Sequence, residues 1–430
     1  MKRFRIFTLV AAAVVFLSAS CQDEPPHRPS VPQKTEDDDD PTGGIKDYQL
    51  VTKDGTLLRT SCADPSLVYW KGEFYLTMTG ASNLALVHDE DLSKLTTSAH
   101  ATSSNLIYQS GADKNVTDIW GAGTTINGTW SPELHYFSET DCPGHAGWYI
   151  VFGLRKENSA NDSSEIRPVV IKSLGSSPAG PWGHPVTGVR NVSQRLLDAE
   201  GNPFSQWAVG MSFLRIPTGE HKGIYALWVD EVGRGEGLGK FYQRLRIARM
   251  KTPWQIDSEA ATITQPTQDW EKKGASSKLP QVVEGVTAIY GNNGEVFLAY
   301  CGSGYWSDYG LGQLTLKKVG DDYADPLKTD SWIKYEDNPI FTSRFSDDLR
   351  GAGHAFFFED AKGNRLMCYH SYTYVNGTKS SSRNAYVEPF EIDYSAKSAT
   401  APQGLIKFGI MKNGRTAPVT SSFQYYKAVK

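Results

Sequence analysis

One pattern recurs five times along this chain at intervals of roughly 70 residues. Each copy has a polar residue, an apolar run, a turn that contains glycine, and a second run rich in aromatic residues. Two such runs around a glycine turn predict a β-hairpin, so the chain is expected to repeat one hairpin-based unit. The paired runs are 64–70 with 74–76, 133–137 with 148–152, 210–216 with 223–228, 284–290 with 294–300, and 354–358 with 366–370.

The intervals between these hairpins indicate the fold. Each interval leaves room for two further strands, and few amphipathic helical patterns lie between the copies. Four-stranded units repeated around an axis are the blades of a β-propeller, so the sequence predicts an all-β, five-bladed β-propeller. The first strand of each blade lies nearest the axis. Asp64, Glu133, Glu284 and His354, which open four of the copies, are therefore predicted to surround one cavity, where two separated carboxylates suit acid/base hydrolysis.

Composition agrees with this fold and argues against one class of partner. The 430 residues include 11 Trp, 21 Tyr and 40 Gly, which suits strands, tight turns and ring-lined clefts. Length alone would divide the chain into two or three domains, but the five units occupy nearly everything after residue 60 as one ring. A net charge of −4 lacks the basic excess that neutralises phosphates, so no nucleic-acid partner is expected.

Residues 1–21 have the features of a lipoprotein signal peptide. Three basic residues near the start flank an apolar stretch, 4–17, that is too short to span a bilayer. The segment ends in small residues followed by Cys21, which resembles a bacterial lipobox, although Ser18 replaces the usual aliphatic residue. Lipidation of Cys21 would attach the protein to a membrane. The alternative is an ordinary secretory signal that is cleaved nearby.

Residues 22–47 have the composition of a solvated tether. They contain several prolines, four consecutive aspartates and no aromatic residue, so they cannot bury a core. An acidic stretch close to a lipidated cysteine resembles the surface-export signal of Bacteroidetes lipoproteins. We therefore expect the propeller, residues 48–430, in the cell envelope of such a Gram-negative bacterium, at the outer-membrane surface or in the periplasm. Removal of the signal leaves 41 basic and 48 acidic residues, a net charge of −7.

The other cysteines give no sign of a metal site. None of them lies in a spacing typical of zinc ligands. Buried free thiols are expected, with disulfides as the open alternative. These residues are Cys62, Cys142, Cys301 and Cys368.

Five short motifs, in order and at blade spacing, resemble those of glycoside hydrolase family 43. These enzymes are five-bladed propellers that act on arabinan- and xylan-type glycans, and the resemblance covers about residues 60–410. Trp130–His135 is similar to the W-A-P-E-L-H stretch of the α-L-arabinofuranosidase branch. The other motifs, similar to an E-G-P stretch, its partner strand, G-P-G-H and Y-H-A, are Val283–Gly285, Phe297–Tyr300, Gly351–His354 and Tyr369–Ser371.

The resemblance implies an inverting mechanism with Asp64 as the general base and Glu284 as the general acid. Such a pair stands about 6.5–9.5 Å apart to admit the attacking water. Without the resemblance, the evidence for Asp64 is weaker, because an Asp before Pro often only starts a turn. Glu284 opens an apolar strand, where burial of a carboxylate is unfavourable, so a functional role is the better explanation. The implied activity is hydrolysis of α-L-arabinofuranosyl linkages in a polysaccharide, in carbohydrate catabolism. Arabinanase or β-xylosidase activity is the nearer alternative.

One residue of the family pattern is missing. The family carries a third carboxylate, an Asp in a W-A-I-D-G-T-V-F-like stretch that opens blade three and tunes the acid. Here the stretch reads Trp207–Phe213, is one residue shorter, and has Gly210 in place of the Asp. Three outcomes stay open. Glu133, Asp198 or Asp230 replaces the missing group, the enzyme acts slowly or on an unusual glycan, or the protein binds a glycan without cutting it.

The resemblance also implies roles for residues near the two carboxylates. His354 matches a histidine that helps to hold a central ion, so one calcium ion is expected, without an organic cofactor, although calcium prefers oxygen ligands. Arg383 matches an arginine that binds a substrate hydroxyl, and a salt bridge explains it nearly as well. Trp130 and Trp207, beside blade starts, either stack on sugars or pack in the core. Glu133 is also expected near the substrate.

Overall fold

The protein, represented by a computed structural model, is described over residues 56–96, 105–157, 165–342, 349–360, 363–375 and 378–408. In these ranges five antiparallel sheets are arranged as the blades of a β-propeller, which confirms the predicted fold. No helix in the described ranges is both long and apolar enough to cross a membrane. The predicted signal peptide, Cys21 and the tether lie outside the described residues.

The first three blades hold most of the strands before residue 265. Strand β1 (Thr56–Arg59) precedes them. Blade one contains β2 (Ser66–Trp70), β3 (Glu73–Thr77), β4 (Asn83–Asp89) and β5 (Leu106–Gln109). Blade two contains β6 (Ile126–Phe137), β7 (Gly147–Lys156), β8 (Ile166–Ser173), β9 (Trp182–Gly183) and β10 (Gln194–Arg195). Blade three contains β11 (Val209–Ile216), β12 (Gly223–Val232), β13 (Tyr242–Thr252), β14 (Gln255–Ile256) and β15 (Ala261–Thr264).

The last two blades follow the same plan. Blade four contains β16 (Val283–Tyr290), β17 (Val296–Gly302), β18 (Gly310–Leu316), β21 (Trp332–Lys334) and β22 (Phe341–Thr342), and carries a ribbon of β19 (Lys318–Val319) and β20 (Asp322–Tyr323). Blade five contains β23 (Leu349–Glu359), β24 (Arg365–Val375), β25 (Thr378–Asp393) and β26 (Leu405–Phe408). One α-helix, Lys114–Trp120, and the 3-10 helices Leu92–Thr96, Ser110–Ala112, Asp269–Lys272 and Thr329–Ser331 lie in the connections.

All five predicted hairpins are present as the first two strands of the blades. They are β2–β3, β6–β7, β11–β12, β16–β17 and β23–β24. The ring closes because β1, from the start of the chain, pairs with β25 of blade five. A closed ring leaves no long exposed edge between its first and last blades.

The second strand of each blade is apolar on both faces because both faces are covered. Along β12, Tyr225 and Leu227 pack toward blade four, whereas Ile224 and Ala226 pack toward blade two. This alternation follows from the two-residue period of a strand. Five such cores fill the five interfaces between neighbouring blades, including the interface between blades five and one. The described cysteines Cys62, Cys142, Cys301 and Cys368 are buried within these cores and unpaired, as expected.

Candidate active site

The same backbone turn occurs where each blade begins. At each of these turns one residue has a left-handed backbone, with φ values between 50° and 59°: Asp64, Ser131, Gly210, Gly285 and His354. Residues other than glycine seldom adopt this conformation, and they keep it where the surrounding structure fixes them. In blades two to five the turn coincides with a β-bulge in the first strand. All five residues line one cavity at this end of the propeller axis.

This cavity has a volume of about 510 Å³ and brings together six of the seven predicted site residues. They come from all five blades and are Asp64, Trp130, Trp207, Glu284, His354 and Arg383. Glu133 does not line it. The cavity therefore holds the two predicted catalytic carboxylates, and it is large enough to receive a sugar ring.

Asp64 is the most constrained side chain of the site. Its side chain is 9% exposed, and Arg383 donates to Oδ1 at 3.0 Å while the Thr79 hydroxyl donates to Oδ2 at 2.5 Å. Nδ1 of His370 lies 3.1 Å from Oδ1, and Nδ1 of His354 lies 3.5 Å from it. These partners fix the carboxylate in one orientation toward the cavity.

The charge of Asp64 follows from the same contacts. Burial by itself raises the pKa of Asp64, but Arg383, His354 and His370 together outweigh burial, so the pKa lies well below its usual value. Burial, together with the charge of Arg383, lowers the pKa of His370 to about 3, so its ring is neutral. The backbone N–H of Asp64 donates to Nδ1 of His370 at 3.1 Å, and a guanidinium nitrogen of Arg383 lies 3.4 Å from Nε2. Asp64 is therefore ionised at neutral pH.

Glu284 lies at the start of β16 and is partly buried. The Tyr309 hydroxyl donates to Oε1 at 2.9 Å, and Nε2 of Gln243 donates to Oε2 at 3.2 Å. Among the described residues these two are its hydrogen-bond partners, and neither is an acid. Asp64 and Glu284 thus differ in surroundings, one held by a cation and the other by neutral groups.

The structure corrects the position of the missing third carboxylate. Gly210 and Gly285 share the left-handed turn, with φ values of 59° and 55°, so Val209 is the blade-three counterpart of Glu284. Gly210, which the sequence pattern aligns with the missing Asp, is thus the counterpart of Gly285. In the resembling D-G pair the glycine likewise follows the acid, so an apolar Val209 stands where that acid would be.

None of the three suggested replacements makes a hydrogen bond to Glu284. Asp230 is held by Arg244 and Arg246, with contacts of 2.8 and 3.2 Å. Asp198 accepts hydrogen bonds from Asn202 in a turn. Glu133 is 5% exposed and lies 2.8 Å from Nε2 of His135. In the described structure, therefore, none of the three replaces the missing carboxylate as a hydrogen-bond partner of Glu284.

Glu133 lies deeper along the axis than the sequence predicted. It follows Ser131, at the cavity, by two residues along β6, and precedes His135, which lines a second cavity of about 110 Å³. Burial raises the pKa of Glu133 to about 8 and lowers that of His135 to about 3. At neutral pH Glu133 therefore keeps its proton and the ring of His135 is uncharged. A direct contact with a substrate in the main cavity does not fit this position.

His354 faces the cavity beside Asp64. Its backbone N–H donates to Sγ of Cys301, and its buried Nε2 has no hydrogen-bond partner among the described residues. The described part of the chain contains no cluster of three or more His, Cys, Asp or Glu that could hold a metal ion. The residues present therefore do not fit a calcium ion held directly by several acidic ligands.

The two predicted tryptophans of the cavity, Trp130 and Trp207, are only partly buried. Trp130 and Trp207 pack at the edge of the core between blades three and four while they line the cavity. The guanidinium of Arg155 lies 5.0 Å from the ring of Trp130, and that of Arg234 lies 6.0 Å from the ring of Trp207. Both rings thus combine packing with exposure, as the two sequence alternatives had separately suggested.

Four further residues hold the two carboxylates: Thr79 and His370 contact Asp64, and Gln243 and Tyr309 contact Glu284. His370 belongs to the Tyr369–Ser371 motif, which assigned it no role in the site, whereas the other three lie outside the motifs. All four lie on second and third strands of blades or in the segments beside them. Their spacing from the carboxylates ranges up to 306 residues, so only the folded ring brings them together.

A protein-family model covers most of this chain. The model of the glycosyl hydrolases family 43 matches residues 56–395, from β1 to just beyond the end of β25. The chain belongs to glycosyl hydrolases family 43. This confirms the resemblance drawn from the motifs.

Individual relatives agree with this family. Alpha-L-arabinofuranosidase B of Pyricularia oryzae is 28% identical over 263 residues, which cover 60% of this chain and 46% of that protein. The chain thus spans about half the length of this curated relative.

Two solved structures share the family 43 fold. An α-L-arabinofuranosidase from Lactobacillus brevis superimposes with a TM-score of 0.60 at 23% identity, over 82% of this chain and 95% of that one. An endo-1,4-β-xylanase from Bacteroides thetaiotaomicron gives a TM-score of 0.51 at 18% identity, over 83% and 98% of the two chains. Because their names differ in activity, the shared fold leaves the substrate open.

Proposed function

We propose that this family 43 protein hydrolyses α-L-arabinofuranosyl linkages at the ends or side chains of a polysaccharide. The observation that carries the proposal is that Asp64 and Glu284, from blades one and four, line one cavity in different surroundings. Arg383 keeps Asp64 ionised, as a general base requires. Pairs of carboxylates in unlike environments are typical of glycosidases.

The proposed reaction is one displacement with inversion. Asp64 accepts a proton from a water molecule as the water oxygen forms a bond to the anomeric carbon. The bond from that carbon to the leaving oxygen breaks, and Glu284 gives its proton to this oxygen. At the end Asp64 is protonated and Glu284 ionised, so one proton exchange with solvent restores the starting state.

The rim of the cavity suits a carbohydrate polymer. Trp306 is 38% exposed there, and its indole packs directly over Gly304, where an added Cβ would come within 2.2 Å of the ring. Its Nε1 donates to the carbonyl of Gly274 at 3.0 Å, which fixes the orientation of the ring. We place the leaving part of the polymer on this side because Trp306 and Glu284 both belong to blade four.

A second candidate function is glycan binding with weak or no hydrolysis. The observation that favours it is that Glu284 has Gln243 and Tyr309 as its hydrogen-bond partners in the described structure, with no carboxylate among them, while Val209 stands at the blade-three position. Arabinanase or β-xylosidase activity stays the nearer alternative within the family. We also retain a central calcium ion, held partly through water, as a proposal that metal analysis of the purified protein tests.

A panel of aryl pentosides tests the proposal. We expect release of the aryl group from the α-L-arabinofuranoside at least about tenfold faster than from the β-D-xyloside, and an inverted product by NMR. Faster release from the xyloside would show that the proposed arabinofuranosyl substrate is wrong and would favour β-xylosidase activity. Binding of arabinan or arabinoxylan without release from any pentoside would establish the glycan-binding alternative.

We further propose that the protein is a lipoprotein of the cell envelope, attached through Cys21. The support is the lipobox-like sequence before Cys21 and the acidic tether that follows. Fractionation of cells that express the full chain is expected to place it with membranes, and Cys21→Ala is expected to release it. Recovery of both forms in the soluble fraction would favour an ordinary secretory signal.

A further inference from the structure

Neutral groups hold both carboxyl oxygens of Glu284. Tyr309 reaches Oε1 from blade four, and Gln243 reaches Oε2 from β13 of blade three. The backbone beneath Gln243 is firmly placed, since its N–H donates to the carbonyl of Gln281 at 2.9 Å and it pairs with Glu231 of β12. Blade three therefore contacts the acid through an amide, while Val209 supplies no polar group.

The amide of Gln243 is itself only half satisfied. The residue is 4% exposed, and its Oε1 is buried without a hydrogen-bond partner in the described structure. A buried carbonyl oxygen without a donor is unfavourable, so this orientation of the amide is one that a nearby proton donor would change.

A carboxamide offers a donor at one end and an acceptor at the other, and a half-turn of the group exchanges them. With nitrogen toward Glu284 it donates to the ionised carboxylate. With oxygen toward Glu284 it accepts the proton of the carboxylic acid, which satisfies Oε1. A carboxylate in the same place would accept only, and it would favour the protonated form alone.

We propose that Gln243 is the positioning residue for the general acid and holds Glu284 in both of its protonation states. The role of Glu284 in turnover rests on the proposed function, whereas the contact and its effect on titration do not. Gln243 thus provides a hydrogen-bond partner for Glu284 from blade three, but with a neutral amide in place of the carboxylate of the family pattern.

Other groups around Glu284 also bear on its titration. The titratable and charged groups that line the cavity or interact with Glu284 come from all five blades and from the segment before blade four: Asp64, Arg155, Glu231, Arg234, Lys278, Cys301, Tyr305, Tyr309, His354 and Arg383. Substitution of Gln243 leaves all of them in place. Differences among Gln243 variants therefore report on this contact.

The test is a titration of the Glu284 carboxyl that needs no turnover. The full chain is labelled with ¹³C at glutamate Cδ, and Glu284→Gln identifies the Glu284 signal. Gln243→Leu is expected to raise the titration midpoint by about 0.5 to 1 pH unit, because the donor to the carboxylate is lost. Gln243→Glu creates a pair of carboxyl groups, and the upper midpoint of this pair is expected to lie more than about 1 unit above the wild-type midpoint.

The matched control is Gln265→Glu, an exposed position outside the cavity, which is expected to move the midpoint by less than about 0.2 unit. Equal midpoints in wild type, Gln243→Leu and Gln243→Glu would overturn the inference. If Gln243→Leu does not fold, the difference in midpoint between Gln243→Glu and Gln265→Glu still tests the inference.

Activity gives a second reading. Gln243→Leu is expected to lower kcat about 10- to 100-fold with little change in KM, and Gln243→Glu to move the alkaline limb of the pH–rate profile upward. A wild type without activity would remove the proposed function, and the titration would still decide the role of Gln243. An unchanged kcat and profile in both variants would contradict that role.

Discussion

Arg383 of blade five donates a hydrogen bond of 3.0 Å to Oδ1 of Asp64, at the entry to blade one. The two residues are 319 positions apart, and the carbonyl of Arg383 accepts from the N–H of Cys62, beside Asp64. The guanidinium also lies 4.5 Å from the ring centre of Tyr305. The proposed base is thus held across the seam where the ring closes.

Arg383→Met is expected to move the acid limb of the pH–activity profile upward by at least about 1 unit. Arg383 lowers the pKa of Asp64, and burial raises it, so removal of the cation lets the pKa rise. Because the base acts when ionised, activity is then lost at higher pH than in the wild type. Arg249→Met, an exposed change on β13, serves as the control. An unchanged limb with a higher KM would instead support direct binding of the substrate by Arg383.

Asp64→Asn and Glu284→Gln are each expected to lower kcat on a pentoside substrate by about 10³-fold or more while the protein stays folded. Each change removes one proton transfer and keeps the size of the side chain. Stopped assays of product release, with circular dichroism of both variants, make the measurement. Full activity in either folded variant would show that its assigned role is wrong.

Glu133→Gln is expected to stabilise the protein at about pH 8 by roughly 1–3 kcal/mol and to have little effect near pH 4. The pKa of Glu133 is raised to about 8 in the folded state. Its favourable contribution is complete below the unfolded value near 4.5 and is lost as the pH rises toward 8. Glutamine stays neutral throughout.

Urea unfolding at both pH values measures the difference for Glu133→Gln. Glu236→Gln, an exposed change, is the control and is expected to alter neither value by more than about 0.5 kcal/mol. Equal effects of Glu133→Gln at the two pH values would mean that Glu133 is not buried as a neutral acid.

Trp207→Ala is expected to raise KM for an arabino-oligosaccharide about tenfold, which corresponds to about 1.4 kcal/mol of binding, with a smaller change in kcat. Trp207 lines the cavity and is only partly buried, so its ring is available to a sugar. Trp120→Ala, which alters a partly buried ring outside the cavity, is the control. A lower Tm with an unchanged KM for Trp207→Ala would show that the ring only packs.

The ring of blades could be predicted from the sequence because each hairpin is a local pattern. Runs such as 223–228 alternate between two buried faces, and glycine turns mark where each run ends. Asp64 and Glu284 could be found because they open strands and belong to short motifs. Features that are encoded within about ten consecutive residues could therefore be predicted.

The hydrogen-bond partners of those carboxylates could not be predicted from the sequence, because they depend on the register between distant segments. Gln243 carries no motif, and it reaches Glu284 only because β13 lies beside the start of blade four. The bulges add a second difficulty, since one extra residue in β11 decides whether Val209 or Gly210 matches the acid. Glu133 was misplaced for the same reason, as it lies two residues beyond the turn that faces the cavity.

The closing strand β1 has a mechanical consequence. It is four residues long and pairs with β25 through a ladder that is interrupted between Leu57 and Arg59. Among the described strands, β1 is the first that tension applied through the N-terminal segment reaches, and the load falls on its few backbone bonds, the packing of Leu58 and the hydrogen bond from Arg59 to the carbonyl of Leu95. The ring would part first at this junction, next to the contact between Arg383 and Asp64. A molecule under tension would thus lose the contact that holds the proposed base, Asp64, while its blades were still intact.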